Sequence, residues 1–582
     1  MGTRLTRPLP ERWIMESGSA KHVPEIAAFT MEIGLESEIP TYSGGLGVLA
    51  GDTAKEAADM GLPFTVVTLA HRQGYFRQAI GADGRQTESP APWEPERRLE
   101  AVEPVVEVTL EGRAIKVRAW RYTIRGVHDH EVPVLFLDTD VPGNRDDDRA
   151  ITNHLYGGDE RLRLRQEAIL GIGGVRMLRA LGKSDLGTFH MNEGHAALLA
   201  VELLGELGTR EDMGAEEFET AVESVRRFCV FTTHTPVAAG HDRFNIGMMR
   251  AVLGDDVGNL LDRLGCVEHG KVNMTHLALR FARFTNGVAL RHGDVSREMF
   301  PGHRIHAITN GVHANTWIGE AQAELFDRHL AGWRKDPFML RHAVAIPTEE
   351  LRAAHAESRD ALFREVHRRT GRELSPDRLT MVFARRAAPY KRAALVVSRP
   401  DRLREVVRRG GPMQIIYAGK AHPRDEPGKE LIRQVVRTGH DLGDDLSLVY
   451  LEDYDMKLGG LLTAGSDLWL NMPRKPLEAS GTSGMKAAMN GIPSLSILDG
   501  WWIEGHVEGV TGWAVDESWQ SPVDDEHEFD SMVRKLEDTI LPLFHGDPEG
   551  WARVMRSCIA LNGAHFQCRR MLQEYVDHAF MV

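Results

Sequence analysis

Short apolar runs of strand length recur through the second half of the chain, and polar or glycine residues follow most of them. The runs are LTMVFARR, MQIIYAGK, LSLVYLED, DLWLNMP and PSLSILDG, all between residues 379 and 500. Segments with the apolar period of a helix, such as AALVVSRPDRLREVVRRG, lie between most of these runs. This alternation predicts an α/β fold with a parallel, doubly wound sheet, whose ligands bind beyond the carboxyl ends of the strands.

The first half of the chain has a less regular pattern. From about Pro63 to Asp140 it predicts consecutive strands, with a tight turn at Glu111–Gly112 between VVEVTL and RAIKVRAWRYTI. Helical patterns follow from about Asp159, and two short strand-like runs, TFHMNE and RFCVFTTH, interrupt them. The more regular half begins after IHAITNG, which places a domain boundary near Asn310.

This boundary and the start of a final helix near residue 563 divide the chain into three parts. We expect an N-terminal lobe over residues 1–310, a C-terminal lobe over residues 311–562 and a final amphipathic helix over residues 563–582. Four apolar residues share one side of this helix: Phe566, Leu572, Val576 and Phe580. An apolar side of this kind has to be buried, so the helix can cross back to the N-terminal lobe.

Composition and charge narrow the class of protein. The chain of 582 residues is 42% hydrophobic and 26% charged, as is typical of a soluble globular enzyme. Its net charge of −14 argues against a nucleic acid or an anionic membrane as partner. The four cysteines have neither zinc-site nor redox spacing, which indicates reduced thiols. Because the N-terminal stretch has no apolar core of a signal peptide, and no later run is suited to span a bilayer, we expect a cytoplasmic location.

A glycine-rich turn before a helix, in EASGTSGMKAAMNG, is the strongest candidate for chemistry. The helix formers from Met485 onward place the helix start near Ser483, so the backbone N–H groups from Gly481 to Gly484 face outward. Such donors, together with the helix dipole, form an anion site. Lys486 lies in the first turn, where burial can lower the pKa of its amine enough for imine formation. From residue types alone, a surface lysine after a glycine-rich loop is the alternative.

Two further stretches carry candidate phosphate ligands. ARRAAPYKRAAL places Arg385, Arg386, Lys391 and Arg392 where a strand ends, and both a solvated basic face and a phosphate site are compatible with it. YSGGLGVLAGD is a second glycine-rich turn leading into a helix, which is a weak signal by itself. The GVHDHEVP run around His130 has metal-ligand spacing without a distant partner, so we interpret it as a polar turn and expect no metal.

Together these stretches resemble the α-glucan (glycogen, starch or maltodextrin) phosphorylase family, pyridoxal-phosphate glycosyltransferases of the GT-B fold. EASGTSGMK is similar to the cofactor-lysine signature, and GGLGVLAGD, HRQGYFRQAI, HMNEGH, FTTHTP, TNGVHANTW and AGKAHP resemble further family segments in the same order. The similarity covers roughly residues 25 to 500. It implies two Rossmann-like lobes with the active site in the cleft between them, and a homodimer. It also implies reversible phosphorolysis of α-1,4-linked glucans by inorganic phosphate, giving α-D-glucose 1-phosphate with retention.

The resemblance also implies roles for individual residues. Lys486 matches the lysine that holds pyridoxal 5'-phosphate as a Schiff base, and the phosphate of that cofactor acts as a proton relay. The other cofactor-binding positions are Gly45, Trp317, Tyr454, Thr482 and Ser483. The catalytic positions are His234, Arg386, Lys391 and Lys486. The positions that bind the transferred sugar are Gly44, Leu46, Asn310, Glu478, Ser480 and Gly481.

The chain departs from the family pattern at two places. Larger members have a His-Glu pair before their Tyr-Lys-Arg, where this chain has Ala-Ala-Pro. Asp455 stands where an arginine is common, so a cation of the cofactor pocket is missing, and Arg474 or Lys475 could replace it. Both departures resemble the short bacterial and archaeal branch, for which the phosphoserine and nucleotide control of the animal enzymes is not implied.

Two other functions compete with a phosphorylase. A nucleotide-sugar-dependent glucan synthase shares the GT-B scaffold, and such enzymes resemble one another in two glutamates eight positions apart, the second on the nucleotide ribose. Here Glu478 is followed eight positions later by Lys486, whose ammonium group cannot accept hydrogen bonds from ribose hydroxyls. The other alternative is a catalytically silent glucan-binding protein, which would not need Lys486, Arg386 and Lys391 together.

Overall fold

The computed structural model describes residues 23–209, 212–237, 240–443, 446–517 and 524–581. Residues 1–22, which carry the expectation of no signal peptide and begin the expected N-terminal lobe, lie outside the described residues. The described chain is a mixed α/β protein with parallel sheets. None of its helices combines the length and the apolarity needed to cross a membrane.

The strands of the described chain alternate with its helices over most of its length. In chain order the strands are β1 (Ile26–Phe29), β2 (Phe64–Leu69), β3 (Arg77–Ile80), β4 (Gln86–Ser89), β5 (Glu100–Leu110), β6 (Arg113–Arg125), β7 (Glu131–Asp138), β8 (Thr188–Asn192), β9 (Cys229–Thr232), β10 (Arg243–Asn245), β11 (Val267–Glu268), β12 (Lys271–Asn273), β13 (Phe284–Gly287), β14 (His306–Ala307), β15 (Leu379–Ala384), β16 (Met413–Ala418), β17 (Ser447–Leu451), β18 (Leu468–Asn471), β19 (Ser494–Ile497) and β20 (Gly512–Val515). The α-helices are α1 (Gly45–Met60), α2 (Asp146–Arg149), α3 (Glu160–Ala168), α4 (Gly174–Ala180), α5 (Leu198–Glu206), α6 (Ala215–Arg226), α7 (Ile246–Leu253), α8 (Asp255–Arg263), α9 (Met274–Phe281), α10 (Leu290–Met299), α11 (Ala314–Trp317), α12 (Glu320–His329), α13 (Thr348–Thr370), α14 (Pro400–Gly410), α15 (Glu426–Leu442), α16 (Met456–Gly465), α17 (Thr482–Met489), α18 (Trp502–Gly505), α19 (Asp525–Lys535), α20 (Leu541–Gly546), α21 (Pro548–Ser557) and α22 (Cys568–Tyr575).

The first half of the chain builds a nine-stranded sheet in the order β14-β13-β9-β8-β1-β2-β7-β6-β5. Neighbouring strands are parallel from β14 through β7, and β6 and β5 add antiparallel strands at one edge. The strand runs expected here are confirmed as β2, β5, β6, β7, β8 and β9. The turn at Glu111–Gly112 is confirmed as well, and both of its residues have positive φ (54° and 71°), the backbone twist that suits a tight hairpin.

The second half builds a six-stranded parallel sheet in the order β17-β16-β15-β18-β19-β20. The five apolar runs of this half are confirmed as β15 to β19. Every residue of β15 and β16 is buried. Both faces of these central strands are therefore covered, which explains why their sequences are apolar throughout rather than alternating.

The last helix of the described chain packs on the first half of the protein. Helix α22 begins at Cys568, five residues later than expected, and a π-helical turn over Val576–Phe580 continues it. Leu572, Val576 and Phe580 share one hydrophobic core with residues of α1 and of the first sheet. Phe566 does not share that side, because it precedes the helix and its ring lies edge-on to Trp501, with 4.8 Å between the ring centroids.

Two further contacts join the halves of the chain. Arg570 at the start of α22 donates hydrogen bonds to the backbone carbonyls of Thr309 (2.7 Å) and Asn310 (2.9 Å). The β3–β4 hairpin reaches from the first half to the second, where Gln78 donates to the carbonyl of Gly419 (2.9 Å). Both contacts join residues that are far apart in sequence.

Candidate active site

A cavity of about 890 Å³ opens beyond the carboxyl ends of both large sheets. Its wall contains residues that follow β1, β8, β9 and β14 in the first sheet and β15 to β18 in the second. All residues that the sequence marked for catalysis, cofactor binding or sugar binding line this cavity: Gly44, Gly45, Leu46, His234, Asn310, Trp317, Arg386, Lys391, Tyr454, Glu478, Ser480, Gly481, Thr482, Ser483 and Lys486. Their roles remain predictions, and their position in one cavity is what those roles require.

The glycines of the turn before α17 have two structural roles: one begins the helix, and another allows close packing against Trp501. The helix begins at Thr482, one residue before the expected start, and Gly481 precedes it with a φ of 93°, a conformation that favours glycine. The backbone N–H of Gly484 was expected to face outward toward an anion. Instead, a Cβ at this position would lie 2.7 Å from the indole ring of Trp501, and the Gly484 N–H donates to the carbonyl of Gly481. Thr482 and Ser483 line the cavity and offer the first-turn N–H groups of the helix to an anion.

Lys486 lies on an aromatic wall of the cavity, with its Nζ 3.6 Å from the centroid of the Trp317 ring. Trp317 in turn donates its Nε1–H to the carboxylate of Asp52, at 2.8 Å. Burial lowers the pKa of the Lys486 amine to about 8, a shift that Asp52 opposes and Lys55 reinforces. Near neutral pH a useful fraction of the amine is therefore uncharged, and the uncharged amine is the form that attacks a carbonyl.

The three lysines that line the cavity differ in their partners. Lys391 pairs with Glu478 at 2.6 Å, and Lys420 pairs with Asp453 at 2.6 Å. Lys486 has no carboxylate at ion-pair distance within the part of the chain that the structure describes. Of the three amines, that of Lys486 is therefore the one left for a carbonyl compound.

Glu478 is enclosed by two cations. Its carboxylate lies 2.7 Å from Arg385 and 2.6 Å from Lys391, and its backbone N–H donates to Asp499 at 2.9 Å. Burial alone would raise the pKa of Glu478, but Arg385 and Lys391 lower it to about 2. Two cations around one carboxylate leave this cluster with a net positive charge at the cavity. The resemblance implied no role for Arg385, although the basic run in the sequence contains it.

Arg386 has a different environment from its neighbour. Its side chain lines the cavity and is exposed there, and among the described residues no carboxylate forms an ion pair with it. Its hydrogen-bond partner is Tyr390. The planar guanidinium group of Arg386 is thus available for the bidentate hydrogen bonds that a phosphate accepts.

The cation missing at Asp455 is not replaced by the two residues suggested for it. The Asp455 side chain caps the N-terminus of α16. Arg474 pairs with Asp525 at 3.0 Å and is half exposed, whereas Lys475 pairs with Asp516 at 3.0 Å. Neither Arg474 nor Lys475 lines the cavity. A cofactor in the cavity would therefore not contact either of them.

The second glycine-rich turn caps α1 at the opposite side of the cavity. Gly44 is the N-cap residue, and a Cβ at Gly44 or Gly45 would meet no atom within 4 Å. The carboxyl group of Glu32 already accepts the N–H groups of Ser43 (2.5 Å) and Gly44 (3.4 Å). Burial raises the pKa of Glu32 despite these hydrogen bonds. The turn therefore leaves open space at the cavity, next to a carboxyl group that the sequence analysis did not single out.

The cavity lining around His234, Asn310 and Ser480 is polar and incompletely satisfied. The Nε2 atom of His234 lies 2.5 Å from Oδ1 of Asn192. The backbone N–H of His234 donates to Glu193 at 2.8 Å. Burial lowers the pKa of His234 to about 3, so its ring is neutral. Asn310 Oδ1 and Ser480 Oγ are buried without a hydrogen-bond partner among the described residues. Unsatisfied oxygens of this kind destabilise a protein unless a ligand donates to them, as sugar hydroxyls do.

The cavity wall contains a further polar cluster that no sequence pattern indicated. Arg163 donates to Asp242 (3.1 Å) and to Nε2 of His195 (2.9 Å), and its guanidinium lies 4.5 Å from the ring centroid of Tyr156. His195 also lines the cavity. Arg163 and Asp242 are 79 positions apart, so no local pattern could have joined them.

The cavity thus combines an amine and a guanidinium group that have no carboxylate partner among the described residues with a polar lining that contains two unsatisfied oxygens. A family model described as carbohydrate phosphorylase matches residues 255–510. The chain is 38% identical to a glycogen phosphorylase of Mycobacterium tuberculosis, over 99% of this chain and 73% of that protein. It is 37% identical to a maltodextrin phosphorylase of Thermococcus litoralis (98% and 72%) and 34% identical to a glycogen phosphorylase of Aquifex aeolicus (95% and 85%). The chain belongs to the carbohydrate phosphorylase family, which confirms the resemblance, and is therefore a glycosyltransferase.

Proposed function

We propose that the protein is an α-1,4-glucan phosphorylase, which reversibly phosphorolyses α-1,4-linked glucose units of a glucan or maltodextrin to α-D-glucose 1-phosphate with retention. The observation that carries this proposal is that four groups line one cavity: the Lys486 amine, the Arg386 guanidinium, Asn310 Oδ1 and Ser480 Oγ. Among the described residues the two cations have no carboxylate partner and the two oxygens have no hydrogen-bond donor. The amine suits a carbonyl cofactor, the guanidinium suits phosphate and the oxygens suit sugar hydroxyls. The similarity to glycogen and maltodextrin phosphorylases supports the same function.

The residues of the cavity fit pyridoxal 5'-phosphate. Lys486 would hold the aldehyde group, since its pKa is lowered to about 8 and it has no carboxylate partner among the described residues. Trp317 and Tyr454 would flank the ring, and Thr482 and Ser483 would offer helix N–H groups to the phosphate. When bound, the cofactor supplies a phosphate group that exchanges a proton with the substrate phosphate.

A Gly45→Ala variant should separate anion binding from folding. The added methyl group enters open space, so the midpoint of thermal unfolding should stay unchanged. The KM for phosphate, or the concentration of pyridoxal phosphate that half-saturates the apoenzyme, should rise about tenfold, because an anion at this turn loses a charge-assisted hydrogen bond. Gly460→Ala is the matched control, since a methyl group added at Gly460 also meets no atom within 4 Å and this residue lies outside the cavity. Kinetics and cofactor affinity equal to those of Gly460→Ala would contradict an anion at this turn.

The basic residues make it possible for two phosphate groups to share the cavity. Each phosphate carries a charge of about −1.5 at neutral pH, so the two repel one another. Arg386 and the positively charged cluster of Arg385, Lys391 and Glu478 offset that repulsion where the two groups meet. A substrate phosphate held there can give a proton to the glycosidic oxygen, and the cations keep the resulting dianion in place.

The hydrogen-bond and ion-pair partners of Glu478 and Glu193 determine which group can act as the nucleophile toward the sugar. Glu478 is bound by two cations, and both oxygens of Glu193 accept hydrogen bonds, from Gly194, His234 and Thr235. Neither carboxylate is free to attack a sugar, which distinguishes the site from that of a retaining hydrolase. The substrate phosphate then captures the oxocarbenium-like sugar on the face from which the leaving group departs, and this gives retention.

Two alternatives receive less support. A nucleotide-sugar glucan synthase needs an acceptor for ribose hydroxyls where this chain places Lys486 on the Trp317 ring. A silent glucan-binding protein would have no use for an amine of lowered pKa in the same cavity as a guanidinium without a carboxylate partner among the described residues. We further propose a GT-B arrangement, with lobes over residues 1–310 and 311–562, a last segment over 563–582 that returns to the first lobe, a homodimeric assembly and a cytoplasmic location.

The reaction products test the proposed function. Maltodextrin incubated with inorganic phosphate and the holoenzyme should give α-D-glucose 1-phosphate, and NMR identifies its anomer. Without phosphate, hydrolysis should be negligible, because neither Glu478 nor Glu193 is free to replace the phosphate as nucleophile. The reverse reaction should extend a maltooligosaccharide from glucose 1-phosphate. A β-anomer, free glucose as the main product or a requirement for a nucleotide sugar would overturn the proposal.

A further inference from the structure

A chain of three hydrogen bonds leads from the backbone of Glu32 to the ring of His234. Thr30 donates its hydroxyl hydrogen to the carbonyl oxygen of Glu32 at 2.9 Å. Asn192 places Nδ2 at 3.1 Å from the same Thr30 hydroxyl oxygen, and its Oδ1 lies 2.5 Å from Nε2 of His234. All three linking side chains lie at or near the carboxyl ends of β1, β8 and β9, and Thr30 is 1% exposed.

The direction of this chain follows from its first member. A backbone carbonyl can only accept a hydrogen bond, and no other donor to the Glu32 carbonyl occurs among the described residues. The single hydroxyl hydrogen of Thr30 is therefore used, and its oxygen has to accept from Asn192. The amide of Asn192 then presents its NH₂ group to Thr30 and its oxygen to His234. A flipped amide would place two acceptors against each other.

We propose that Asn192 is a positioning residue that fixes the tautomer of His234, with the proton on Nε2, so that Nδ1 accepts a hydrogen bond from one hydroxyl of the transferred sugar. Because the Asn192 oxygen can only accept, Nε2 has to carry a hydrogen. The ring is neutral, since burial lowers the pKa of His234 to about 3, and a neutral imidazole has one hydrogen only. Nδ1 is left as an acceptor, and no described residue donates to it. His234 lines the cavity, so the donor has to come from a ligand.

This inference rests on the proposed function for the identity of the ligand, and it adds a rule of specificity. The site selects a hydroxyl group because it donates a hydrogen bond. A hydrogen atom, a fluorine or a methoxy group at the same carbon cannot donate one. A histidine with the opposite tautomer would donate from Nδ1 and would tolerate fluorine, a weak acceptor. The two tautomers therefore differ in which sugar analogues they accept.

Kinetics with modified donors test the inference. The holoenzyme is assayed in the direction of synthesis with glucose 1-phosphate and with its monodeoxy and monodeoxyfluoro analogues at carbons 2, 3, 4 and 6. At one carbon, the loss of kcat/KM relative to glucose 1-phosphate should be about tenfold greater in the unmodified enzyme than in a His234→Ala variant, and this ratio should be the same for the deoxy and the deoxyfluoro analogue. Because fluorine also slows formation of the oxocarbenium-like sugar in both enzymes, only this ratio reports the hydrogen bond. A ratio near one for the deoxyfluoro analogue at that carbon would overturn the assignment.

Variants along the hydrogen-bond chain separate positioning from folding. Asn192→Leu removes the acceptor and should abolish the discrimination at that carbon. Thr30→Val frees the amide of Asn192 to flip and should weaken the discrimination. Thr68→Val is the matched control, because Thr68 is equally buried in β2 and its hydroxyl has no partner among the described residues. Discrimination that Asn192→Leu leaves unchanged would show that Asn192 does not set the tautomer.

A measurement on the resting protein keeps this test apart from that of the function. With ¹⁵N-labelled histidine, the signals of His234 are assigned by comparison with a His234→Gln variant, and the ring nitrogen shifts report which atom is protonated. We expect a neutral ring with the proton on Nε2, and a shift to the other tautomer or to a mixture in Asn192→Leu. A proton on Nδ1 in the unmodified protein would overturn the inference even if the enzyme is a phosphorylase. Absence of turnover with glucose 1-phosphate would instead count against the proposed function.

Discussion

A Lys486→Ala variant should be isolated without a pyridoxal chromophore and should lose phosphorolysis by a factor on the order of 10⁴ or more, since all of the chemistry depends on the bound cofactor. Lys486 is the one lysine of the cavity wall without a carboxylate partner in the described chain, and burial lowers its pKa to about 8. The measurement is the absorbance spectrum of the purified protein, together with the rate of glucose 1-phosphate formation.

Borohydride reduction of the holoenzyme supplies the control within the same molecule. Peptide mapping should find the pyridoxyl group on Lys486, whereas Lys391 and Lys420 should stay unlabelled, because each is held by a carboxylate at 2.6 Å. A label on either of these two lysines, or a Lys486→Ala variant that keeps its chromophore, would show that the cofactor lysine has been misassigned.

The second large effect is expected for Arg386→Ala. This change removes the unpaired guanidinium from the cavity and should lower kcat/KM for phosphate by roughly 30- to 1,000-fold, that is by about 2–4 kcal/mol. The KM for the glucan should change little, since the lost charge lies where the phosphates meet. Arg474→Ala is the matched control, because that arginine pairs with Asp525 outside the cavity and should leave the kinetics unchanged.

Lys391→Ala should have a smaller effect on phosphate than Arg386→Ala. Glu478 already neutralises much of the charge of Lys391, and Arg385 would remain to hold that carboxylate. Steady-state kinetics with phosphate as the varied substrate compare the two variants directly. If Arg386→Ala and Arg474→Ala gave the same constants, the basic run would be a solvated surface, as its residue types alone permit.

Much of the second sheet was predictable because its strands are buried on both faces. β15 and β16 have no exposed residue, so their sequences are almost entirely apolar. The strands β1, β13 and β20 were not predicted. Their sequences, IAAF, FTNG and GWAV, all contain alanine or glycine, which do not indicate a strand.

In the candidate site, features that depend on neighbouring residues were predictable from the sequence, and contacts between distant residues were not. Lys486 and the start of α17 follow from a short motif, because a helix N-terminus and the residues near it are adjacent in sequence. The partners of Glu478 are not local, since Lys391 is 87 positions away. Sequence reasoning therefore found many residues of the cavity wall, but not the ion pair between Lys391 and Glu478.

The return of α22 to the first half has a consequence for biosynthesis. Arg570 holds the backbone of Thr309 and Asn310, about 260 positions earlier, so the wall around Asn310 is completed only by a segment that is translated much later. A ribosome has to translate more than 560 codons before that segment emerges, and the first sheet can form long before then. Products of premature termination would keep the sheet but not the clamp on Asn310, and we expect them to be inactive. Translation itself thus delays any cleavage of glucan until Arg570 and its neighbours have left the ribosome.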